Sequence, residues 1–156
     1  MSDRIDTVLR YFRDAIDGNQ PTLVREMFTE GCTIHRPEVE FQGVEKLVAL
    51  ISKIATNYEQ FHTHVHQAVE GDDTVVLRLT HSAMSTGLFV SRTGIYDVSG
   101  KPIKWDAIAM FRFQDDRIAE EWVNRDELGM HLMYDILKGD DSVTNLIHEL
   151  IAGDVG

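Results

Sequence analysis

The stretch KWDAIAMFRFQDDRIAEEWVNRDELGM, residues 104–130, decides the fold. It predicts a strand, an acidic turn at Gln114-Asp115-Asp116-Arg117, and a second strand that runs into a helix. Strands joined by so tight a turn are antiparallel. Side chains alternate faces along a strand, so Trp122, Asn124 and Asp126 point the same way. A carboxylate beside an indole, on a sheet face that a helix can cover, is a candidate catalytic site.

Working upstream, Phe61–Val69 and Thr74–Ser82 read as strands around a hairpin signal at Glu70-Gly-Asp-Asp73. Tyr96 to Pro102 is a turn, and the rest of 83–100 has no clear period. The N-terminal third is helical. Ile5, Val8, Leu9, Phe12 and Ile16 share helical spacing, Leu23 to Phe28 form a short helix ended by Gly31, and Val44–Tyr58 is a third, amphipathic helix. A short strand, Cys32–Pro37, lies between them. Downstream, Leu128–Leu137 is helical, and Ser142 caps a last helix that carries Val143, Leu146, Ile147, Leu150 and Ile151. Helices followed by hairpin-linked strands predict an α+β fold. The expected architecture is a curved antiparallel or mixed sheet wrapped around the N-terminal helices. It forms a cone with a hydrophobic pocket, over residues 1–138, with a helical extension at 139–156.

With 156 residues and a net charge of −11, the chain lacks the clustered cations that nucleic acid or anionic lipid requires. Its single cysteine, Cys32, excludes an internal disulfide. The opening residues MSDRID carry charge from the third position, and no apolar run reaches the length of a membrane span. The expectation is a cytoplasmic protein.

The order of elements resembles the nuclear-transport-factor-like α+β cone superfamily, and within it the SnoaL-like polyketide cyclase and ester cyclase group. The resemblance is carried by Ile34-His35-Arg36-Pro37 and Gly43, by Glu70-Gly71-Asp72 with Val75 to His81, by Phe111-Arg112-Phe113, and by Glu121-Trp122-Val123-Asn124-Arg125-Asp126-Glu127-Leu128-Gly129. It extends over residues 4–137. It implies a cyclase or isomerase that works by acid/base chemistry, without cofactor or metal, on a hydrophobic polyketide- or terpenoid-like molecule. The Asp of the last string is the group's acid/base, which places that role on Asp126. His35 and His81 fall near the cone's mouth and, with Asn124, would orient a carbonyl. Tyr11, Trp105 and Trp122 would form the wall. Ketosteroid isomerases share the fold, but their acids fall at Arg36 and Ala109, so that activity is rejected. Epoxide hydrolase chemistry would need Asp106, Arg78 and Asp126 to meet.

Each residue also has a plainer reading. Asp126, at a strand-to-helix junction, is a natural N-cap. Helix periodicity makes Phe12 deeper than Tyr11. His62, His64 and His66 lie on one strand face about 7 Å apart, too spread to close on one ion. Their face is instead a candidate surface for a homodimer, which a monomeric mass in solution would contradict. The competing functional class is a binding or assembly domain of the same fold.

Overall fold

The computed structural model describes residues 2–153. Its elements run α1 (Asp3–Arg10), a π-helical turn (Tyr11–Asp17), a 3-10 turn (Pro21–Leu23), α2 (Val24–Met27), β1 (Phe28–Arg36), β2 (Val39–Gln42), α3 (Val44–Asn57), β3 (Tyr58–Gly71) and β4 (Thr74–Ser85). There follow β5 (Leu88–Ser91), β6 (Gly94–Asp97), β7 (Pro102–Gln114), β8 (Arg117–Arg125), α4 (Glu127–Met133) and α5 (Asp141–Ala152). Six strands form one sheet in the order β2-β1-β8-β7-β4-β3, and β5 pairs with β6 apart from it. Only β1 and β8 are parallel; the other neighbours in the sheet are antiparallel. The α+β cone with a mixed sheet is therefore present as expected.

The alternation along β7 explains why the sheet curls around the helices. Ile103, Trp105, Ala107, Ala109, Phe111 and Phe113 are buried, while Lys104, Asp106 and Ile108 are exposed. One face thus meets the core formed with Val8, Phe12, Leu47 and Ile51 of the helices. Phe111 and Phe113 fill the closed end of the cone. Ala107 and Ala109 are too small to do so, and space opens above them. A second cluster of Phe89, Val98, Ile103, Trp105, Met130 and Tyr134 ties the β5–β6 hairpin and α4 to the sheet near the mouth.

The β7–β8 turn contains the feature that sets the site. Asp115 takes the left-handed conformation (φ 56°), which Asp tolerates better than most residues. Gln114 pairs with Arg117 and Phe113 with Ile118, but Arg112 pairs with Glu120. Ala119 is the extra residue of a β-bulge, and both Ile118 and Ala119 are buried. From there on, Phe111, Ala109 and Ala107 face Glu121, Val123 and Arg125. A one-residue slip exchanges the two faces of a strand. The bulge therefore turns Glu121, Val123 and Arg125 inward and Trp122 and Asn124 outward.

Several boundaries differ from the sequence reading. Phe28 opens β1 rather than closing a helix, because its completely buried ring anchors the strand against Tyr11 of the π-helical turn. Residues 83–100 extend β4 and build the β5–β6 hairpin. The helix expected over Leu128–Leu137 ends at Met133. The cap of α5 is Asp140, whose side chain accepts the Ser142 amide, not Ser142 itself. No residue of α5 is buried, so its apolar stripe contributes nothing to the core. No helix among the described residues is long and apolar enough to cross a membrane.

Candidate active site

The space above Ala107 and Ala109 is a cavity of about 410 Å³, a size suited to a small organic ligand. Phe12 and Ile16 close it from the first helix, and Leu50 and Ile54 from α3. Phe61, Leu79, Ala107, Ala109 and Val123 form the sheet wall, and Leu88, Phe89 and Val90 of the hairpin reach its mouth. The polar groups on this largely apolar surface include Arg36, Glu38, Tyr58, His81 and Arg125.

His81 belongs to β4, where Leu77, Leu79 and His81 share the inner face and Arg78 is exposed on the other. Its ring lies among Phe61, Trp105 and Phe12, with centroids 5.1, 5.2 and 5.9 Å away. Burial among these rings pushes its pKa down to about 3, and the guanidiniums of Arg125 and Arg36 add to the effect. The imidazole is neutral at any physiological pH. Its Nδ1 lies 2.9 Å from the Thr63 hydroxyl on β3. That hydroxyl is 2.7 Å from Asp17 Oδ1, and the Thr63 amide donates to Asp17 Oδ2 at 2.8 Å.

Arg36 reaches the cavity from the end of β1 and is held from below. It donates to the Tyr11 hydroxyl at 2.8 Å and to Glu121 Oε2 at 3.3 Å; Tyr11 donates in turn to Glu121 Oε1 at 3.3 Å. The Arg36 and Glu121 side chains are only 11% and 1% exposed. A buried pair of this kind holds its geometry because separating it would strand a charge. Burial, with the Glu121 charge, holds the Tyr11 phenol protonated far above the ordinary tyrosine range. Arg125, two residues beyond Val123 on the inner face of β8, donates to Glu38 Oε1 at 3.3 Å. Its buried Nε has no hydrogen-bond partner among the described residues.

Of the residues singled out from sequence, His81 and Trp105 line the cavity. Tyr11 lies beneath it, fully buried, and Phe12 is the wall residue, the reverse of the depth expected from periodicity. The expected roles of Trp122 as wall and of Asn124 and His35 as carbonyl-orienting groups are corrected: the bulge leaves Trp122 and Asn124 on the outer face, and His35 of β1 lies there with them. Trp122 stacks there on His35 at 5.3 Å, Asn124 is exposed, and His35 is held by Glu120 at 2.6 Å and by Glu40. Asp126 is exposed and not part of the cavity; it caps α4, accepting the Gly129 amide at 2.9 Å. The backbone leaves the strand there to start the helix, so its carboxylate follows the cap geometry. Arg78 and Asp106 are exposed on the outer face, so the epoxide hydrolase constellation does not assemble. Arg36 and Ala109, where ketosteroid isomerases carry acids, both line the cavity.

Sequence reasoning missed Asp17, Thr63, Glu121 and Arg125. The first two meet only through pairing of β3 with the first helix. For Arg125 a signal existed: it alternates in phase with the apolar Val123 at that strand's end. His131 was also passed over. It is buried, its Nδ1 donates to the Glu127 carbonyl at 2.6 Å, and its Nε2 lies 2.8 and 3.0 Å from the hydroxyls of Thr93 and Ser91, pinning α4 to the hairpin. Among the described residues no cluster of three or more His, Cys, Asp or Glu side chains is placed to hold a metal ion.

Comparison with known proteins accords with this architecture. TsrD from Streptomyces laurentii superposes with a TM-score of 0.77 at 22% identity, over 88% of this chain and 98% of its own. AclR from Streptomyces galilaeus gives 0.77 at 16%, over 100% and 99%. A SnoaL-like polyketide cyclase candidate from Jannaschia sp. CCS1 gives 0.74 at 18%, over 85% and 91%. At these identities the likeness establishes the fold alone. No curated protein sequence matches the chain. The family model described as SnoaL-like polyketide cyclase matches residues 6–132, most of the chain, and the protein therefore belongs to that family.

Proposed function

We propose that the protein is a cyclase or isomerase that binds a hydrophobic, polyketide- or terpenoid-like molecule in the cone and acts by acid/base chemistry on its own side chains, with His81 as the base. The observation that carries this is the placement of His81, among the described residues the only histidine on the wall of a largely apolar cavity, which two guanidiniums, Arg36 and Arg125, also line. The inner face of β8 offers Val123 and Arg125 to the cavity, and Glu38, the carboxylate on the wall among the described residues, accepts from Arg125.

A base of so low a pKa suits only a carbon acid that is already activated, such as a methylene between two carbonyls. Proton transfer to His81 would leave an enolate, and Arg36 and Arg125 favour that negative charge as they disfavour the imidazolium. Formed together, enolate and imidazolium compensate each other. The enolate carbon then attacks a second carbonyl carbon of the same molecule, whose π electrons move to its oxygen. The imidazolium returns its proton to that alkoxide. One C–C bond forms, one C–H proton becomes an O–H proton, and nothing is oxidised. The apolar wall holds the chain folded, which makes ring closure a problem of proximity.

A test uses 2-(acetoacetyl)benzaldehyde, whose flanked methylene can close on the aldehyde to a hydroxyindanone. The protein should accelerate closure over buffer, and His81→Asn should return the rate to that of buffer. Equal rates for wild type and His81→Asn would overturn the assignment.

A further inference from the structure

We propose that Asp17 and Thr63 are positioning residues that set the tautomer of His81, so that Nδ1 carries the hydrogen and Nε2 presents its lone pair to the cavity; the proposal rests on the reading of His81 as the base.

The argument is one of counting donors. A carboxylate accepts only, and a threonine hydroxyl has a single hydrogen. Thr63 Oγ1 lies 2.7 Å from Asp17 Oδ1, so its hydrogen goes to Asp17. The Thr63 amide holds the other carboxylate oxygen at 2.8 Å, so Asp17 is clamped by one residue through both oxygens. With its hydrogen committed, the hydroxyl can only accept from His81 Nδ1, 2.9 Å away. A neutral imidazole has one N–H, so Nε2 is left as the acceptor. Among the described residues Nε2 has no hydrogen-bond partner, and the ring lines the cavity. When Nε2 takes a proton, the carboxylate two hydrogen bonds away favours the new positive charge without receiving the proton itself.

The π-helical turn Tyr11–Asp17 has its reason here. In an α-helix, residue 17 would lie well round the cylinder from residue 12. Hydrogen bonds from i to i+5 widen the turn and bring Asp17 beneath Phe12, on the side of β3. Phe12 and Ile16 line the cavity while Asp17 reaches Thr63 from the same segment. Gly18 ends the turn where a Cβ would lie 2.6 Å from the Asp14 carbonyl oxygen, a contact only glycine avoids.

The experiment reads the His81 ring nitrogens by long-range 15N–1H correlation near neutral pH, in the protein without ligand. Wild type and Thr63→Ser should show the Nδ1–H tautomer. Asp17→Asn should invert it, because the Asn amide can donate to Thr63 Oγ1 and free that hydroxyl to donate to Nδ1. In closure of 2-(acetoacetyl)benzaldehyde, Asp17→Asn and Thr63→Val should lose about 10- to 100-fold in kcat with KM little changed, and Thr63→Ser should restore most of it. An Nε2–H tautomer in wild type, or an unchanged tautomer in Asp17→Asn, overturns the proposal. The expected tautomers with full turnover in His81→Asn would instead leave the relay standing and remove the acid/base reading.

Discussion

Replacing His81 by Asn should flatten the protein's sensitivity to acid by an amount the cavity sets. The ordinary histidine pKa is 6.5, and in the folded protein burial and the nearby guanidiniums push it down to about 3. Between those values the unfolded chain binds a proton at this residue and the folded chain does not, so stability rises with pH across that window and falls as the solution is acidified. Each unit of pH inside the window contributes about 1.36 kcal/mol. From about pH 7 to about pH 5 the integrated loss from this one group is about 1.9 kcal/mol. Asn cannot titrate, and its amide can keep the hydrogen bond to Thr63. Urea unfolding followed by tryptophan fluorescence, extrapolated to water at both pH values for both proteins, measures the difference. The carboxylates are common to the two chains and cancel. Wild type should lose about 1.9 kcal/mol more than His81→Asn over this interval. If the two lose stability in parallel, the imidazole is not held neutral by its surroundings and the reasoning fails.

Two further outcomes follow from the site's surroundings. Glu121→Ala leaves Arg36 buried without its carboxylate partner and should cost about 3–5 kcal/mol in urea unfolding; a loss well under 1 kcal/mol would mean that Arg36 is solvated. Asp126→Ala removes the cap of α4 and should cost about 1 kcal/mol while leaving ring closure of 2-(acetoacetyl)benzaldehyde unchanged; a tenfold loss of turnover would return Asp126 to the chemistry.

The cavity is thus lined by only part of the set the family resemblance points to: His81 and Trp105 are on its wall, while Asp126, Asn124, Trp122 and His35 are not. The string Glu121 to Gly129 identifies the family, yet its Asp126 serves as a helix cap and its inward members are Glu121, Val123 and Arg125. A family signature records residues that many members need for folding as well as for catalysis, and a cap at a strand-to-helix junction is a folding need. The residues around His81 are instead drawn from elements far apart in the chain, the end of the first helix, β3 and β4.

Sequence alone determined the elements that local chemistry dictates. Alternation over Ile103 to Phe113, the acidic turn at Asp115-Asp116 and the helical stripes of α1 and α3 are short-range patterns, legible wherever they occur. They were enough for the α+β cone, and the family resemblance added Trp105 as a wall residue and His81 near the mouth. What only the tertiary structure decided were the one-residue bulge at Ala119 and the π-helical turn ending at Asp17. Neither leaves a periodic trace, because each is a single extra residue accommodated by packing against a neighbour. Yet one such residue reverses which face of β8 meets the cavity, and the other carries Asp17 to Thr63. The cone was local information; which side chains line its cavity depended on register, and register is set between elements.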